Sequence, residues 1–231
     1  MKVVLAMNIS SVAVSENVNE IRAAENKGIE TSEVETKVSS KLAQVLHRPL
    51  IIGASVSGDY LTASPGKRLA LRYTSAEQIK VIALKGYPGR EILKSVNEST
   101  LKDRTAVIAM DLFFWDSVKG SVPESLKALQ KLIDLAAKNK IPLVIGEIPE
   151  FSPQFQPHAE ILNKRIHELC KNSSECRILP LNHLLRQALM DGYIIQGGIK
   201  YSIQSLLPDG LHIAAPASDY LADKISELLS S

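Results

Sequence analysis

The chain has 231 residues, 45% of them apolar and 23% charged, with a formal net charge of +2; this is ordinary globular usage, with length enough for one sizeable core. Acidic and basic residues are interspersed, which excludes the clustered basic face of a nucleic-acid-binding domain. No apolar run approaches the roughly 20 residues that a membrane-spanning helix needs, so neither a nucleic-acid partner nor a transmembrane segment is expected.

At the N-terminus Lys2 precedes a short apolar run, Val3 to Met7, and Asn8, Ser10 and Ser11 then interrupt it too early for a good signal peptide between Met1 and Ala13. Residues 15–46 are polar and acidic at first and then helical in period, with Val34, Val38, Leu42 and Val45 on one face. Residues 1–47 therefore read as a partly helical extension and residues 48–231 as the main domain, with Pro49 marking the change.

From there short apolar runs alternate with helical stretches. The runs are Leu50 to Gly53, Lys80 to Leu84, Thr105 to Met110, Pro142 to Gly146 and Arg177 to Pro180. Such near-continuous apolar strands belong to a parallel sheet buried on both faces. Helices are predicted over Gly89–Val96, Pro123–Lys138, Ala159–Cys170, His183–Met190 and Ala217–Leu229. The alternation predicts an α/β, doubly wound, three-layer fold, in which ligands sit outside the carboxyl ends of the strands. Cys170 and Cys176 either close a small disulfide loop, in which case the chain is periplasmic or secreted, or stand as free thiols in a cytoplasmic protein. With nearby His167 and His183 they lack finger-like metal spacing.

The residues after each strand carry the chemistry. Gly53-Ala54-Ser55-Val56-Ser57 follows the first strand, and a serine among small residues there can stand exposed on a tight turn. With Ser57 at the place of a second glycine, it is not a G-x-S-x-G elbow. Lys85 to Arg90 follows the second strand; its Gly86 and Gly89 leave backbone N–H groups at a helix start, which suits an oxyanion. Asp111 to Asp116 follows the third, with Phe113, Phe114 and Trp115 between two acids as a candidate pocket wall. Asp209-Gly210-Leu211-His212 precedes the last helix. An Asp and a His so spaced can meet through the carboxylate and Nδ1, fixing the tautomer and leaving Nε2 as a base.

Taken together these blocks resemble the SGNH/GDSL hydrolase superfamily over about residues 48 to 230. Gly53-Ala54-Ser55-Val56 is similar to its first block with Ala54 in place of the acid, Gly89 to its second-block glycine, and Asp209-Gly210-Leu211-His212 matches its last block fully. Ile148-Pro149 also resembles a family feature. The third block departs: the family usually has Gly-x-Asn-Asp, and Asp111 to Asp116 contains no Asn. The resemblance implies a five-stranded, flavodoxin-like parallel sheet and serine-dependent cleavage of an acyl ester. Ser55 would be the nucleophile, His212 the base and Asp209 its orienter, and the N–H groups of Ser55 and Gly89 would form the oxyanion hole. No cofactor or metal is implied.

The expected substrate is a small-molecule, lipid or carbohydrate ester, bound beside Asp111 and Trp115. The stretch from Tyr193 to Leu207 is either a connector or a further pocket wall. Two alternatives stand beside the hydrolase: an acyltransferase acting on a carbohydrate hydroxyl, and a catalytically dead domain used for binding. The missing Asn favours the latter, and the intact Ser55, Asp209 and His212 oppose it. An ionised Asp111 cannot donate to an oxyanion, so an ordering role, accepting from neighbouring backbone N–H groups, fits it better.

Overall fold

The five apolar runs form five strands in the computed structural model, which describes residues 38–152 and 154–231. They are β1 (Pro49–Gly53), β2 (Lys80–Ala83), β3 (Ala106–Ala109), β4 (Leu143–Gly146) and β5 (Cys176–Leu179). All pairings are parallel, in the order β2-β1-β3-β4-β5. The central β1, β3 and β4 are buried throughout. The edge strands are less so, with Val81 of β2 40% exposed, because an edge lacks a neighbour on one side.

Alternation along the strands divides the core. Leu50 and Ile52, Val107 and Ala109, and Leu143 and Ile145 face one side, where they pack against α6 (Val122–Asn139) and α7 (Ala159–Lys171) through Leu129, Leu132, Leu162 and Ile166. Ile51 and Ile108 face the other side, where Gly66 of α2 (Pro65–Ala70) lies against both. There α10 (Ala215–Ser230) packs on α2, pinned by Arg68 to Asp219 at 3.0 Å and Arg72 to Asp223 at 2.6 Å. The result is the three-layer doubly wound sandwich that the strand pattern predicts. From β1 the chain turns to β2 on one side and then crosses to β3 on the other. A crevice opens where the order reverses, between the ends of β1 and β3.

Residues 38–45 are helical (α1), and Leu42–Ser231 forms one compact unit in which Leu42 and Leu46 are buried. The reading of Met1 to Ala13, the polar segment after it and Val34 lie outside the described residues. Among the described residues no helix is long and apolar enough to cross a membrane.

Several stretches differ from expectation, beginning with α2, since no helix was predicted between β1 and β2. Gly89–Val96 is not one helix: α3 (Gly89–Ile92) tightens into a 3-10 turn, and Asn97 accepts from Thr100 N–H to start a separate helix, α4 (Glu98–Leu101). The aromatic stretch after β3 runs straight into α5 (Phe114–Lys119). Between α8 (Leu181–Asp191) and α9 (Ile203–Leu206) lies an antiparallel hairpin, β6 (Tyr193–Gln196) and β7 (Ile199–Ser202), where no strand was predicted. Gly197 and Gly198 take φ of 57° and 77°, the backbone of a two-residue turn whose twist matches the strands and which only glycine adopts freely. Cys170, in the last turn of α7, and Cys176, opening β5, are joined in a disulfide.

Candidate active site

Ser55 leaves the end of β1 on a tight turn, in which Gly58 N–H donates to Ala54 carbonyl and Tyr60 N–H to Ser55 carbonyl. The Asp111 carboxylate reaches across the crevice and organises this turn. Its Oδ1 accepts from Ala54 N–H at 3.1 Å and Ser57 Oγ at 2.5 Å, and its Oδ2 from Val56 and Ser57 N–H at 2.9 and 3.2 Å. Gly53 makes this approach possible: a Cβ there would stand 2.0 Å from Asp111 Oδ1. Burial pushes the Asp111 carboxyl up, opposed by hydrogen bonds from Ser57, Ala54 and Val56. Asp111 lines the cavity beside Ser55, as expected of a residue near the substrate, and its carboxylate serves the serine turn.

The two serines of the turn are thereby sorted. Ser57 is buried with its hydroxyl on Asp111, whereas Ser55 Oγ lies 3.0 Å from His212 Nε2. His212 Nδ1 lies 2.7 Å from Asp209 Oδ2, while Asp209 Oδ1 accepts from Leu211 and His212 N–H at 3.0 and 2.7 Å. One carboxylate therefore closes the turn with one oxygen and holds the ring with the other. Hydrogen bonds from His212 N–H, the His212 ring and Leu211 N–H bring the Asp209 carboxyl down to about 2. A charged acceptor at Nδ1 selects the tautomer with Nε2 open toward the serine. Among the described residues His167 also meets a carboxylate, Glu147 at 2.7 Å, but no serine hydroxyl bonds to that ring.

Gly89, expected from the sequence as the second oxyanion donor, lies at the start of α3 with its N–H turned to a side chain of the protein. Gly89 N–H donates to Asp116 Oδ2, and Asp116 also accepts from Arg90 N–H at 3.4 Å and from Ser125 Oγ. The start of α3 does attract an anion, but the anion is the protein's own. Asp116 is fully buried, and burial pushes its carboxyl up against those donors and Arg90. Of the N–H groups from Ala54 to Ser57, the Asp111 carboxylate takes all but that of Ser55.

A cavity of about 90 Å³ opens beside Ser55 and His212, walled by Phe114, Trp115, Phe151, Leu181, Leu185 and Leu207, among others. Trp115 is thus on the wall of the cavity that holds Ser55 and His212. Phe114 packs edge-on against Trp115 and Phe151 at 5.4 and 6.1 Å between centroids, and Phe113 turns instead into the sheet core. Buried Gln156 fixes the Phe151 loop by accepting from Phe151 N–H and donating to Pro149 carbonyl. Asn163 does the same for Ile148, bonding both its N–H and its carbonyl. Leu207, at the end of the Tyr193–Leu207 stretch, is a wall residue, so this stretch is more than a connector.

Sequence reasoning missed Tyr60, whose ring stacks on His212 at 4.1 Å between centroids, with Lys85 Nζ 4.9 Å from the Tyr60 centroid. Position in the chain gave no signal for this. It missed the separate duty of Ser57 as well, although the carboxylate after β3 was there to be paired. Among the described residues no group of three or more His, Cys, Asp or Glu side chains could hold a metal ion.

No protein-family model and no curated protein matches the chain. Solved structures do match it. A psychrotrophic esterase from Pseudoalteromonas sp., in a structure inhibited by monoethylphosphonate, shares 17% identity over 79% of this chain and 96% of its own, with a TM-score of 0.57. An acetylxylan esterase from Geobacillus stearothermophilus shares 13% over 79% and 94%, with a TM-score of 0.54. A GDSL-like lipase from Bacteroides thetaiotaomicron shares 14% over 80% and 86%, with a TM-score of 0.51. At such identities the likeness speaks for the fold. With its sheet order, its switch-point crevice and these neighbours, the chain has the SGNH/GDSL hydrolase fold.

Proposed function

We propose that this protein hydrolyses an acyl ester with Ser55 as nucleophile. The observation that carries the reading is the hydrogen-bonded series from Ser55 Oγ to His212 Nε2 at 3.0 Å and from His212 Nδ1 to Asp209 at 2.7 Å, at the ligand-binding end of the sheet. Oγ attacks the acyl carbonyl while Nε2 takes its proton. The imidazolium that forms faces the Asp209 carboxylate and returns the proton to the departing alkoxide. Water, activated by the same nitrogen, then cleaves the acyl-enzyme. The developing oxyanion is received by Ser55 N–H, with Gly89 N–H committed to Asp116.

A fluorophosphonate tests this directly, because it needs the activated serine and no knowledge of the substrate. Wild-type protein should be labelled on Ser55 and should cleave p-nitrophenyl esters. Ser55→Ala should remove the label and lower kcat on the order of 10⁶. A folded protein that neither labels nor turns over any ester would be a binding domain, and the enzymatic reading would fall. The Cys170–Cys176 disulfide supports export to an oxidising compartment, periplasmic or extracellular; two alkylatable thiols in protein isolated under thiol-blocking conditions would overturn that.

A further inference from the structure

The cavity at Ser55 does not end against packed protein. A second cavity, of about 80 Å³, lies beyond it, beneath α8, β6, α9 and α10. The two share Leu181, Leu185, Leu207, Ile213 and Leu221 as lining, so what stands between them is aliphatic side chain. Apart from the Tyr220 hydroxyl, the second cavity is lined by hydrocarbon, with Ala188, Ile194 and Ile203 in the part of the lining that the first does not share.

The polar groups of the first cavity are already engaged. Ser55 Oγ bonds His212 Nε2, His212 Nδ1 bonds Asp209 and the Asp111 carboxylate accepts from the serine turn, and the Trp115 indole is the remaining polar side chain on the wall. Sugar hydroxyls buried there would lose water without finding partners, a net penalty. Methylene groups would lose nothing and gain contact.

We infer that the acyl side of the substrate is an unbranched aliphatic chain longer than acetyl, seated in the first cavity, and that the Leu185 and Leu207 side chains set its length by closing off the second. This rests on the ester-hydrolase reading and names the substrate class of that site. The second cavity is the space into which a longer chain extends once the partition is trimmed.

The test is kcat/KM on p-nitrophenyl acetate, butyrate, octanoate and laurate. In the wild type it should rise about fourfold per methylene, the equilibrium factor for burying one CH₂, until the partition is reached. Leu185→Ala, or Leu207→Ala if the first variant is unstable, should move the optimum to longer esters, and adding Ala188→Phe, which refills the second cavity, should move it back. Highest efficiency on the acetate, or an optimum unmoved by both partition variants, would overturn the inference. Absence of turnover and of phosphonate labelling would instead defeat the hydrolase reading. Decanoate binding then decides the channel alone, because Trp115 is the sole tryptophan of the chain and lines the first cavity. A saturable change in its emission that tightens in Leu185→Ala supports the channel, and an unchanged emission refutes it.

Discussion

The serine turn and the histidine turn each hang on one aspartate, but the two aspartates sit in different surroundings. Asp209 is exposed and acts within its own turn, on Leu211 and His212. Asp111 is buried and reaches a turn 54 to 57 residues earlier in the chain. The first is a local device that aims the imidazole. The second is a tertiary one that builds the Ser55 turn across the switch point. Their pKa directions follow: short-range donors draw Asp209 down, whereas burial lifts Asp111.

The largest effects belong to the local device and should appear chiefly in rate. His212→Ala should lower kcat on the order of 10⁶. Asp209→Asn, which offers the wrong hydrogen-bonding face to Nδ1, should lower it on the order of 10⁴. Asp209→Asn should lose less melting temperature than a variant of buried Asp111, since the Asp209 carboxylate is exposed, whereas His212→Ala removes a ring that is 14% exposed and stacked on Tyr60. A large loss of melting temperature in Asp209→Asn would erase the contrast between the two aspartates.

Asp111→Asn should show the opposite pattern. An amide presents one acceptor oxygen where the carboxylate offers two, so at least one buried N–H from Val56, Ser57 or Ala54 is stranded. Each stranded group costs about 1–3 kcal/mol, read as a lower urea midpoint at unchanged m-value. Activity should fall through displacement of Ser55, with fluorophosphonate labelling slowed in parallel. If Asp111→Asn instead kept full stability and gained activity, the side chain would belong to the oxyanion and not to the turn.

The same contrast explains what the sequence could tell. Asp209-Gly210-Leu211-His212 is legible because its geometry closes within one turn, and the five strands are legible because burial on both faces writes continuous apolar runs. What Gly89 N–H bonds to was not legible, because a glycine at a helix start advertises free N–H groups, while their partner, Asp116, comes from 27 residues further on. The Asp111 clamp is non-local in the same way; only the ordering role expected of its carboxylate hinted at it. The hairpin was the avoidable miss: Ile194-Ile195 and Ile199 flank Gly197-Gly198, and that pair between two β-rich runs is a strong turn signal.

Acid titration separates the two aspartates by sign. A group whose folded pKa is depressed contributes stability above its unfolded value that is lost as pH falls through the folded one. For Asp209 that window runs from its ordinary value of 3.8 down to about 2. A group whose folded pKa is raised has the opposite slope, and its contribution declines as pH climbs from the ordinary value through the raised one. Subtracting the unfolding free energy of Asp209→Asn from that of the wild type should therefore give a difference that grows from pH 2 to 4. The corresponding difference for Asp111→Asn should shrink as pH rises above 4. Parallel curves would mean that the two carboxylates share one environment after all.

The smallest effect should come from Tyr60, the residue that links the two turns. It follows the serine turn in the chain and stacks on the imidazole of the other at 4.1 Å. In the proposed reaction His212 takes the Ser55 proton and its ring becomes cationic, and the face of the tyrosine ring is attractive to that charge. Lys85 Nζ, 4.9 Å from the same ring's centroid, draws on it too and weakens what His212 receives. A stacked pair contributes about 0.5–1.5 kcal/mol, so Tyr60→Leu should lower kcat/KM by roughly two- to tenfold. Tyr60→Phe keeps the ring and should stay close to the wild type. The split matters because a lost hydroxyl contact would affect Phe and Leu alike. Equal losses in the two variants would assign Tyr60 to hydrogen bonding, and no loss in either would leave the imidazole held by Asp209 alone.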